Sequence, residues 1–352
     1  MPWTKLAADQ STCRFDETCM DANTGRIISY GEAIREAIQQ SMELDSHVLV
    51  LGEGIDAAGF LYDTTAGLSE RYGSRRVIET PIAEAAMTGV VTGAAVAGLR
   101  PVLMHMRNDF LLVSADQIVN HIAHWQKIFP CPNGLPIVLR AIVARGWGSG
   151  AQHSQSFHAM FAGLDGLKVV MPFTPYDVKG MFLSAVASPD PVLFLEHRWL
   201  YGDKAVVPTE PYLVSLDSAA IRTAGGDLTI IGMSLTNRDV QKAVETLQKE
   251  QGIFAEWIDL RSIHPLDTKS IFQSVNKTGR LLIVENGPIT MGIGAEISAL
   301  VAEQCWTCLK APVKRIGWKG STVPSGTKLE EQFYPGFREI IDEGKRLVNY
   351  GK

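Results

Sequence analysis

A glutamate stands where a short apolar stretch gives way to a helix of small residues. Glu84 closes the segment Glu79-Thr-Pro-Ile-Ala-Glu84 and precedes a Gly- and Ala-rich stretch over 83–98. In a dry site a carboxylate at this junction can hydrogen-bond strongly and direct a proton transfer. By residue type alone it can equally balance the helix dipole, because acidic side chains stabilise the first turn. Glu84 is therefore the first candidate for chemistry.

A histidine beside a Gly-rich loop is the second candidate. His153 follows Gly146-Trp-Gly-Ser-Gly150, and the loop opens into a helix. Imidazole titrates near neutral pH, so it can pass protons to reaction intermediates. A lone histidine is more often structural, and His158, one turn further along, fits that role better than His153 does.

The elements that position these residues begin with a helix and a buried strand. Apolar residues recur at helical spacing over about 30–44, and Ser29 with Glu32 forms a capping box that starts this helix. The apolar run over 47–51 predicts a strand buried on both faces. Glu53 directly follows this strand, at a strand-to-loop junction.

Strands and helices alternate along the rest of the chain, which predicts parallel sheets covered on both faces. The fold class is α/β, with two open three-layer α/β/α domains and mainly parallel sheets. We predict an N-terminal arm (1–24), a first domain (25–203), an irregular Pro-bearing linker (204–218) and a second domain (219–345). In the first domain, a helix is expected over about 112–127.

Composition excludes several classes of protein. Among 352 residues, 33 basic and 38 acidic side chains are scattered rather than clustered, so nucleic acid is not an expected partner. The sequence has neither an apolar run long enough for a membrane span nor a secretory layout. The five cysteines are odd in number and sparse, and we predict that Cys305 and Cys308 are structural thiols. A reducing, cytoplasmic compartment is expected.

Several motifs follow one another in a recognisable order. They are Glu79-Thr-Pro-Ile-Ala-Glu84, Gly98-Leu-Arg-Pro101, Asp116-Gln117, Ala151-Gln-His-Ser-Gln155, Gly166-Leu-Lys-Val-Val170, Gly226-Asp-Leu-Thr229 and Asp259-Leu-Arg-Ser-Ile-His-Pro-Leu-Asp267. In this order they resemble the β subunit of the 2-oxo acid dehydrogenase decarboxylase component, of the pyruvate or branched-chain type. That family is a branch of the transketolase-like thiamine-diphosphate superfamily. The resemblance implies a pyrimidine-binding domain followed by a transketolase C-terminal domain.

The resemblance also implies roles for individual residues. Glu84 would hydrogen-bond the aminopyrimidine of thiamine diphosphate, which turns the cofactor's own amino group into the base. Phe110 would stack on the pyrimidine without competing for its hydrogen bonds. Glu53 and the backbone of Ile82 would line the same pocket. His153 would lie near the substrate and the incoming lipoyl group.

A missing motif implies a partner chain. Thiamine enzymes hold the diphosphate through Mg²⁺ bound by a Gly-Asp-Gly segment, since hard oxygen ligands suit that ion. No such segment occurs here: Gly202-Asp203 is followed by Lys and Gly226-Asp227 by Leu. The resemblance therefore implies that an α subunit supplies the magnesium half of the site, in an α₂β₂ heterotetramer, and that this chain holds no magnesium.

In some relatives, backbone carbonyls of one segment hold a potassium ion. The acidic residue common in that loop is displaced in this chain, and carbonyl ligands leave no side-chain signature. The matching positions are Ile137, Ala185, Val186, Ser188 and Asp190.

One segment departs from the family. Before Phe110 the family has apolar or aromatic residues, whereas this chain has Met106-Arg-Asn-Asp109. Arg107 and Asp109 are expected to contact either a polar substrate or the partner chain.

The resemblance implies a catalytic β subunit that decarboxylates a small 2-oxo acid and passes the acyl group to a lipoyl-bearing acyltransferase. The polar segment before Phe110 keeps open a two-chain transketolase-like or acyloin-forming enzyme without a lipoyl partner. A non-catalytic scaffold is the alternative from another class. A generic nucleotide-binding protein is excluded for want of a Gly-x-Gly-x-x-Gly turn.

Overall fold

The computed structural model describes Trp3, Ala8–Asp9 and residues 25–55, 63–320 and 322–351. The predicted N-terminal arm therefore lies almost wholly outside the described residues. The chain divides into two compact units. Among the described residues, the first unit contains those up to 144 together with 160–216, and the second contains 145–159 and 217–351.

The first unit is built on parallel strands that are covered on both faces. Six of its strands lie in the order β7-β8-β6-β5-β3-β4, all parallel to their neighbours. Its strands are β1 (Ala8–Asp9), β2 (Gly25–Ser29), β3 (Val48–Gly52), β4 (Val77–Glu79), β5 (Arg100–His105), β6 (Val138–Val143), β7 (Lys168–Val170), β8 (Val192–His197), β9 (Lys204–Pro208) and β10 (Leu213–Val214). Its α-helices are α1 (Tyr30–Leu44), α2 (Leu68–Tyr72), α3 (Glu84–Val96), α4 (Trp125–Ile128) and α6 (Pro175–Ala187), and α5 (His158–Ala162) spans the unit boundary.

Helix α1 begins at the predicted capping box. The Ser29 hydroxyl accepts a hydrogen bond from the Glu32 N–H at 3.2 Å, and the Glu32 carboxylate accepts one from the Ser29 N–H at 2.7 Å. Two otherwise unpaired N–H groups are thus satisfied reciprocally. Ile34, Ile38 and the rest of the predicted apolar face are buried, which confirms the periodicity argument.

The segment over 204–218 differs from the irregular linker that we predict. Strand β9 pairs antiparallel with β2, from Gly25 opposite Pro208 to Ser29 opposite Lys204. A proline is tolerated there because it ends a strand of a two-stranded pair, where its missing N–H breaks no further ladder. Where the strand ends, the buried ammonium of Lys179 donates to the carbonyls of Pro208, Thr209 and Glu210 at 2.6, 3.0 and 3.1 Å.

The helix predicted over 112–127 is divided into short pieces. A 3₁₀ turn covers Asn108–Leu112, a π-helical turn covers Gln117–Ile122, and only α4 is an α-helix. A π turn inserts an extra residue into the helical repeat and is frequent at functional sites. The segment therefore does not keep the single apolar face that a regular helix would have.

The second unit is a five-stranded sheet in the order β11-β13-β12-β15-β16, parallel except for β11. None of the helices in the described parts of the chain is long and apolar enough to cross a membrane. The strands of this unit are β11 (Ala220–Thr223), β12 (Leu228–Gly232), β13 (Ala255–Asp259), β14 (Ser262–His264), β15 (Leu281–Pro288) and β16 (Lys314–Trp318). Its helices are α7 (Thr236–Gln251), α8 (Thr268–Thr278), α9 (Ile293–Gln304), α10 (Thr327–Glu331) and α11 (Phe337–Val348).

Candidate active site

The candidate site lies at the carboxyl edge of the first sheet, where β4, β3 and β5 end side by side. Gly52, the last residue of β3, is in register with Glu79 of β4 and Met104 of β5. A side chain at Gly52 could not fit, because its Cβ would lie 2.5 Å from the Cβ of Met104. The three strand ends are therefore close together, which places Glu53 and Glu79 at one edge.

Glu79 fixes the loop that carries Glu53. Its two carboxylate oxygens accept hydrogen bonds from the N–H groups of Gly54 at 2.7 Å and Ile55 at 2.9 Å. These bonds set the direction of the chain as it leaves β3. Sequence reasoning treats Glu79 only as the start of a motif. The sequence feature that could have identified its role is an acidic residue at the last position of a strand.

Glu84 is the first residue of α3, at the strand-to-helix junction that we predict. Its side chain is half-buried, and Ala83 offers no side-chain cap for this helix end. The Glu84 carbonyl accepts a hydrogen bond from the Thr88 hydroxyl at 2.7 Å, and this hydroxyl lies 3.1 Å from that of Ser114. An acidic side chain in the first turn interacts favourably with the positive end of the helix dipole.

Three carboxylates share this edge of the sheet. Burial raises the pKa of Glu53, and the negative charges of Glu84 and Glu79 raise it further. Like charges this close disfavour simultaneous ionisation, so Glu53 holds its proton to higher pH than a solvated glutamate does. The edge therefore offers several hydrogen-bond acceptors close together.

Two apolar side chains follow the ends of β4 and β5 along the chain. Ile82, in the turn between β4 and α3, is 81% exposed, and Phe110 is half-buried in the 3₁₀ turn after β5. Beside Phe110, the Asn108 amide donates a hydrogen bond of 3.2 Å to the carboxylate of Asp109, and both residues are buried. Arg107 is half-buried. The polar segment that departs from the family pattern thus combines a buried amide–carboxylate pair with a more accessible guanidinium.

A fully buried ion pair lies inside the same sheet, and sequence reasoning misses it. Arg140 on β6 and Glu196 on β8 form a bidentate pair, with 2.8 Å between Arg140 Nη2 and Glu196 Oε2. Arg140 Nη2 also donates to the Thr64 hydroxyl at 3.0 Å, and the Tyr201 hydroxyl donates to Glu196 at 2.6 Å. The sequence feature that could have indicated this pair is one arginine and one glutamate, each in an otherwise largely apolar strand.

The segment predicted to hold potassium is in contact with a guanidinium. Arg100 Nη1 donates to the carbonyls of Val186 and Ser188 at 2.8 and 3.1 Å. The Ile137 carbonyl accepts the N–H of Val192 at 2.9 Å. Three of the five predicted carbonyls therefore already have a donor within the protein.

His153 belongs to the second unit and is exposed there. Its N–H donates to the carbonyl of Gly150 at 3.3 Å. His158 is instead buried, with its Nδ1 2.9 Å from the Ser156 hydroxyl, and burial lowers the pKa of His158 to about 4. A neutral, enclosed His158 fits the structural role that we assign to it, whereas His153 can meet a ligand.

No group of three or more His, Cys, Asp or Glu side chains is arranged to hold a metal ion within the described ranges. Cys305 and Cys308 are free thiols there, the first buried and the second partly so. The Cys308 thiol lies 3.0 Å from the carbonyl of Cys305, at the end of α9. This geometry is that of thiols which terminate a helix.

Comparison with known families supports both units of the fold. The family described as "Transketolase, pyrimidine binding domain" matches residues 26–204, and "Transketolase, C-terminal domain" matches 217–340. Among solved structures, one titled "Split gene transketolase, inactive beta4 tetramer" covers 92% of this chain and 99% of its own, with a TM-score of 0.75 and 20% identity. The predicted fold class is confirmed.

Curated relatives match over most of their length. The β subunit of acetoin:2,6-dichlorophenolindophenol oxidoreductase from Bacillus subtilis is 37% identical, over 92% of this chain and 98% of its own. The β subunit of 2-oxoisovalerate dehydrogenase from the same organism is 39% identical, over 85% and 91%. Subunit beta-1 of the pyruvate dehydrogenase E1 component from Arabidopsis thaliana is 39% identical, over 91% and 89%. The chain therefore belongs to the transketolase-like family of β subunits that includes these three.

Proposed function

We propose that the chain is the β subunit of a thiamine-diphosphate-dependent 2-oxo acid dehydrogenase, in which Glu84 activates the cofactor. The observation that carries the proposal is the position of Glu84. A half-buried carboxylate begins α3 at the carboxyl edge of a parallel sheet and lies close enough to Glu53 to raise its pKa. Ligands of open α/β sheets bind at this edge.

The residues at this edge fit a flat ring with hydrogen-bonding nitrogens. Ile82 and Phe110 offer apolar contact, and Phe110 presents an aromatic face on which a second ring can stack. Glu84 offers an acceptor for a protonated ring nitrogen. When bound, thiamine diphosphate supplies an acidic carbon that becomes the nucleophile for the 2-oxo acid.

The role of Glu84 is to favour a proton on the pyrimidine ring. Its carboxylate would accept a hydrogen bond from a bound pyrimidine and would favour the protonated ring, so that the amino group on that ring could serve as a base. The backbone at Ile82 and the side chain of Glu53 would help to orient the ring. Stacking against Phe110 would also exclude water, which would strengthen a hydrogen bond to Glu84. His153 exchanges protons with the substrate and with the lipoyl acceptor.

The rest of the assembly comes from other chains. We propose an α-type partner in an α₂β₂ heterotetramer that supplies Mg²⁺ and binds the diphosphate, because the sequence has no Gly-Asp-Gly segment. A lipoyl-bearing acyltransferase accepts the acyl group. The sparse free cysteines fit a reducing compartment, and we place the assembly in the cytoplasm.

Acetoin is a second candidate substrate, favoured by one observation. Relatives named for acetoin oxidation match nearly the whole chain in Bacillus subtilis and in Cupriavidus necator, at 37% and 38% identity. The polar segment at Arg107–Asp109 is compatible with a hydroxyl-bearing substrate as well as with a 2-oxo acid. In both cases Glu84 performs the same proton transfer.

Co-expression with an α-type partner tests the proposal. The purified complex would be assayed with pyruvate, 2-oxoisovalerate and acetoin, using 2,6-dichlorophenolindophenol as electron acceptor and acylation of a lipoyl domain as a second readout. We expect turnover of a 2-oxo acid and acylation of the lipoyl domain only when both chains are present. Equal cofactor binding and turnover by this chain alone would refute the shared site. Turnover of acetoin alone would select the second substrate, and acceptor reduction without lipoyl acylation would select an enzyme with no lipoyl partner.

Potassium fits the predicted carbonyl site poorly, because Arg100 already brings a positive charge to Val186 and Ser188. We therefore expect the melting temperature of the chain to be the same in potassium and in sodium chloride at equal ionic strength. Scanning calorimetry would measure it. A rise in melting temperature that is specific to potassium would mean that the ion binds at this segment. The Arg100→Met variant would then show whether the guanidinium and the ion compete.

A further inference from the structure

The loop that precedes His153 has an unusual backbone. Gly146, Trp147, Gly148 and Gly150 all have positive φ, at 75°, 78°, 68° and 70°. Glycine adopts this region freely, but tryptophan does so only under constraint from its surroundings. Successive N–H groups in such conformations converge into a concave nest that binds anions.

A carboxylate of the same unit fills that nest. Glu330, at 1% exposure, accepts hydrogen bonds from the N–H groups of both Gly146 and Gly148, the second at 2.8 Å. The Tyr334 hydroxyl donates a third bond to this carboxylate at 2.8 Å. A buried charge with three donors is a strong restraint, because bonds to an ionised acceptor exceed neutral ones.

The backbones of the loop and the Glu330 segment also approach closely. A Cβ at Gly148 would lie 2.9 Å from the Cα of Gly326, and a Cβ at Gly150 would lie 2.5 Å from the Ser325 hydroxyl. Ser149 and Ser325 form an antiparallel bridge. At Gly148 the close atoms belong to the backbone, so no side chain larger than hydrogen fits there, and the loop is packed directly against the segment that carries Glu330.

The base of the loop is held by the same segment. The guanidinium of Arg145 lies 4.4 Å from the centre of the Tyr334 ring, a cation–π contact. Burial lowers the pKa of Arg145, while Tyr334, Asp239 and Glu330 raise it. The loop is therefore restrained both at its base and along its glycines by residues 325–334.

We infer that Glu330 is a positioning residue that holds the His153 loop by occupying an anion site formed by the loop itself. Its catalytic consequence rests on the function proposed for His153, whereas its effect on the loop does not. A loop that has lost this restraint still contains His153 but no longer holds it in one place. Misplacement by about 1 Å can lower a rate by about 100-fold.

Chemical rescue tests the inference. Glu330→Ala removes the carboxylate and leaves the nest vacant for a small anion, so formate would be titrated into the co-expressed complex, with formamide as the neutral probe. Glu331→Ala is the matched control, since Glu331 is the exposed neighbour. The readouts are hydrogen exchange of amides 145–153 and kcat and KM of the complex.

We expect Glu330→Ala to speed exchange of the Gly146 and Gly148 amides by at least about tenfold, since opening exposes them to solvent. We expect kcat to fall by about ten- to 100-fold with little change in KM. Formate should reverse both changes in a saturable way, formamide should not, and Glu331→Ala should resemble the parent. We call this hold of Glu330 on the His153 loop the clamp. If exchange in Glu330→Ala is unchanged, or if formate does not slow it, the clamp is overturned.

If Glu330→Ala does not fold, Glu330→Gln provides the test. The amide keeps one acceptor but turns its NH₂ toward one of the two backbone donors. Faster exchange at one of the two glycine amides supports the clamp, and parental exchange at both overturns it. If Glu84→Gln is fully active, the proposed function fails, but the exchange and formate readouts still decide the clamp.

Discussion

Glu84→Gln is expected to lower turnover by about 10²- to 10⁴-fold, the usual contribution of a positioned acid–base group. The amide keeps the size of the side chain but cannot stabilise a protonated ring nitrogen with a negative charge. Because the Glu84 side chain caps no helix end and is only half-buried, its loss should leave the fold unchanged. The assay is reduction of 2,6-dichlorophenolindophenol by the co-expressed complex.

The control for Glu84→Gln removes an equal charge elsewhere in the same unit. Glu70 lies exposed in the short helix α2, so Glu70→Gln should retain parental activity. Circular dichroism and the melting temperature of all three proteins should agree closely. A Glu84→Gln complex with parental turnover would contradict the role given to this carboxylate.

Breaking the buried ion pair should have the largest effect on stability. Arg140→Met leaves Glu196 without its guanidinium at a fully buried position, and breaking such a pair typically costs about 3–5 kcal/mol. Burial lowers the pKa of Arg140, but the charge of Glu196, together with Tyr201 and the hydrogen bonds to both, raises it above its ordinary value, so the guanidinium stays charged in the folded protein. Urea unfolding followed by circular dichroism would measure the loss.

The double variant separates charge from packing. Arg140→Met with Glu196→Leu removes both charges, and apolar replacements of a buried pair are often neutral or stabilising. We expect the double variant to be more stable than either single one. Equal instability of all three would mean that lost packing against Met104 and Thr64, rather than an unpaired charge, dominates.

Local patterns predict much of the fold. Strand β3 lies within one residue of the apolar run over 47–51, and α1 begins at the predicted cap. Each depends on residues within a few positions of one another, so periodicity and capping are sufficient. Glu84 at a strand-to-helix junction and Glu53 after β3 follow from the same kind of pattern.

Contacts between distant residues could not be predicted in this way. Three interactions join residues that are far apart in sequence. Arg140 pairs with Glu196, and Lys179 donates hydrogen bonds to the end of β9. Glu330 accepts hydrogen bonds from the loop that precedes His153. The contact of Arg100 with the segment predicted to hold potassium could not be foreseen for the same reason, because carbonyl groups have no side-chain signature and their partners are fixed only by the fold.

The pairing of β2 with β9 determines where the chain can be truncated to produce the first unit alone. Strand β2 is hydrogen-bonded to 204–208, so a fragment that stopped at 203 would strip β2 of its neighbour. The bare strand would then be a template on which strands of other molecules can add, the usual start of edge-to-edge aggregation. A recombinant first unit that stays in solution should therefore extend past Pro208, far enough to keep the carbonyls that enclose the Lys179 ammonium.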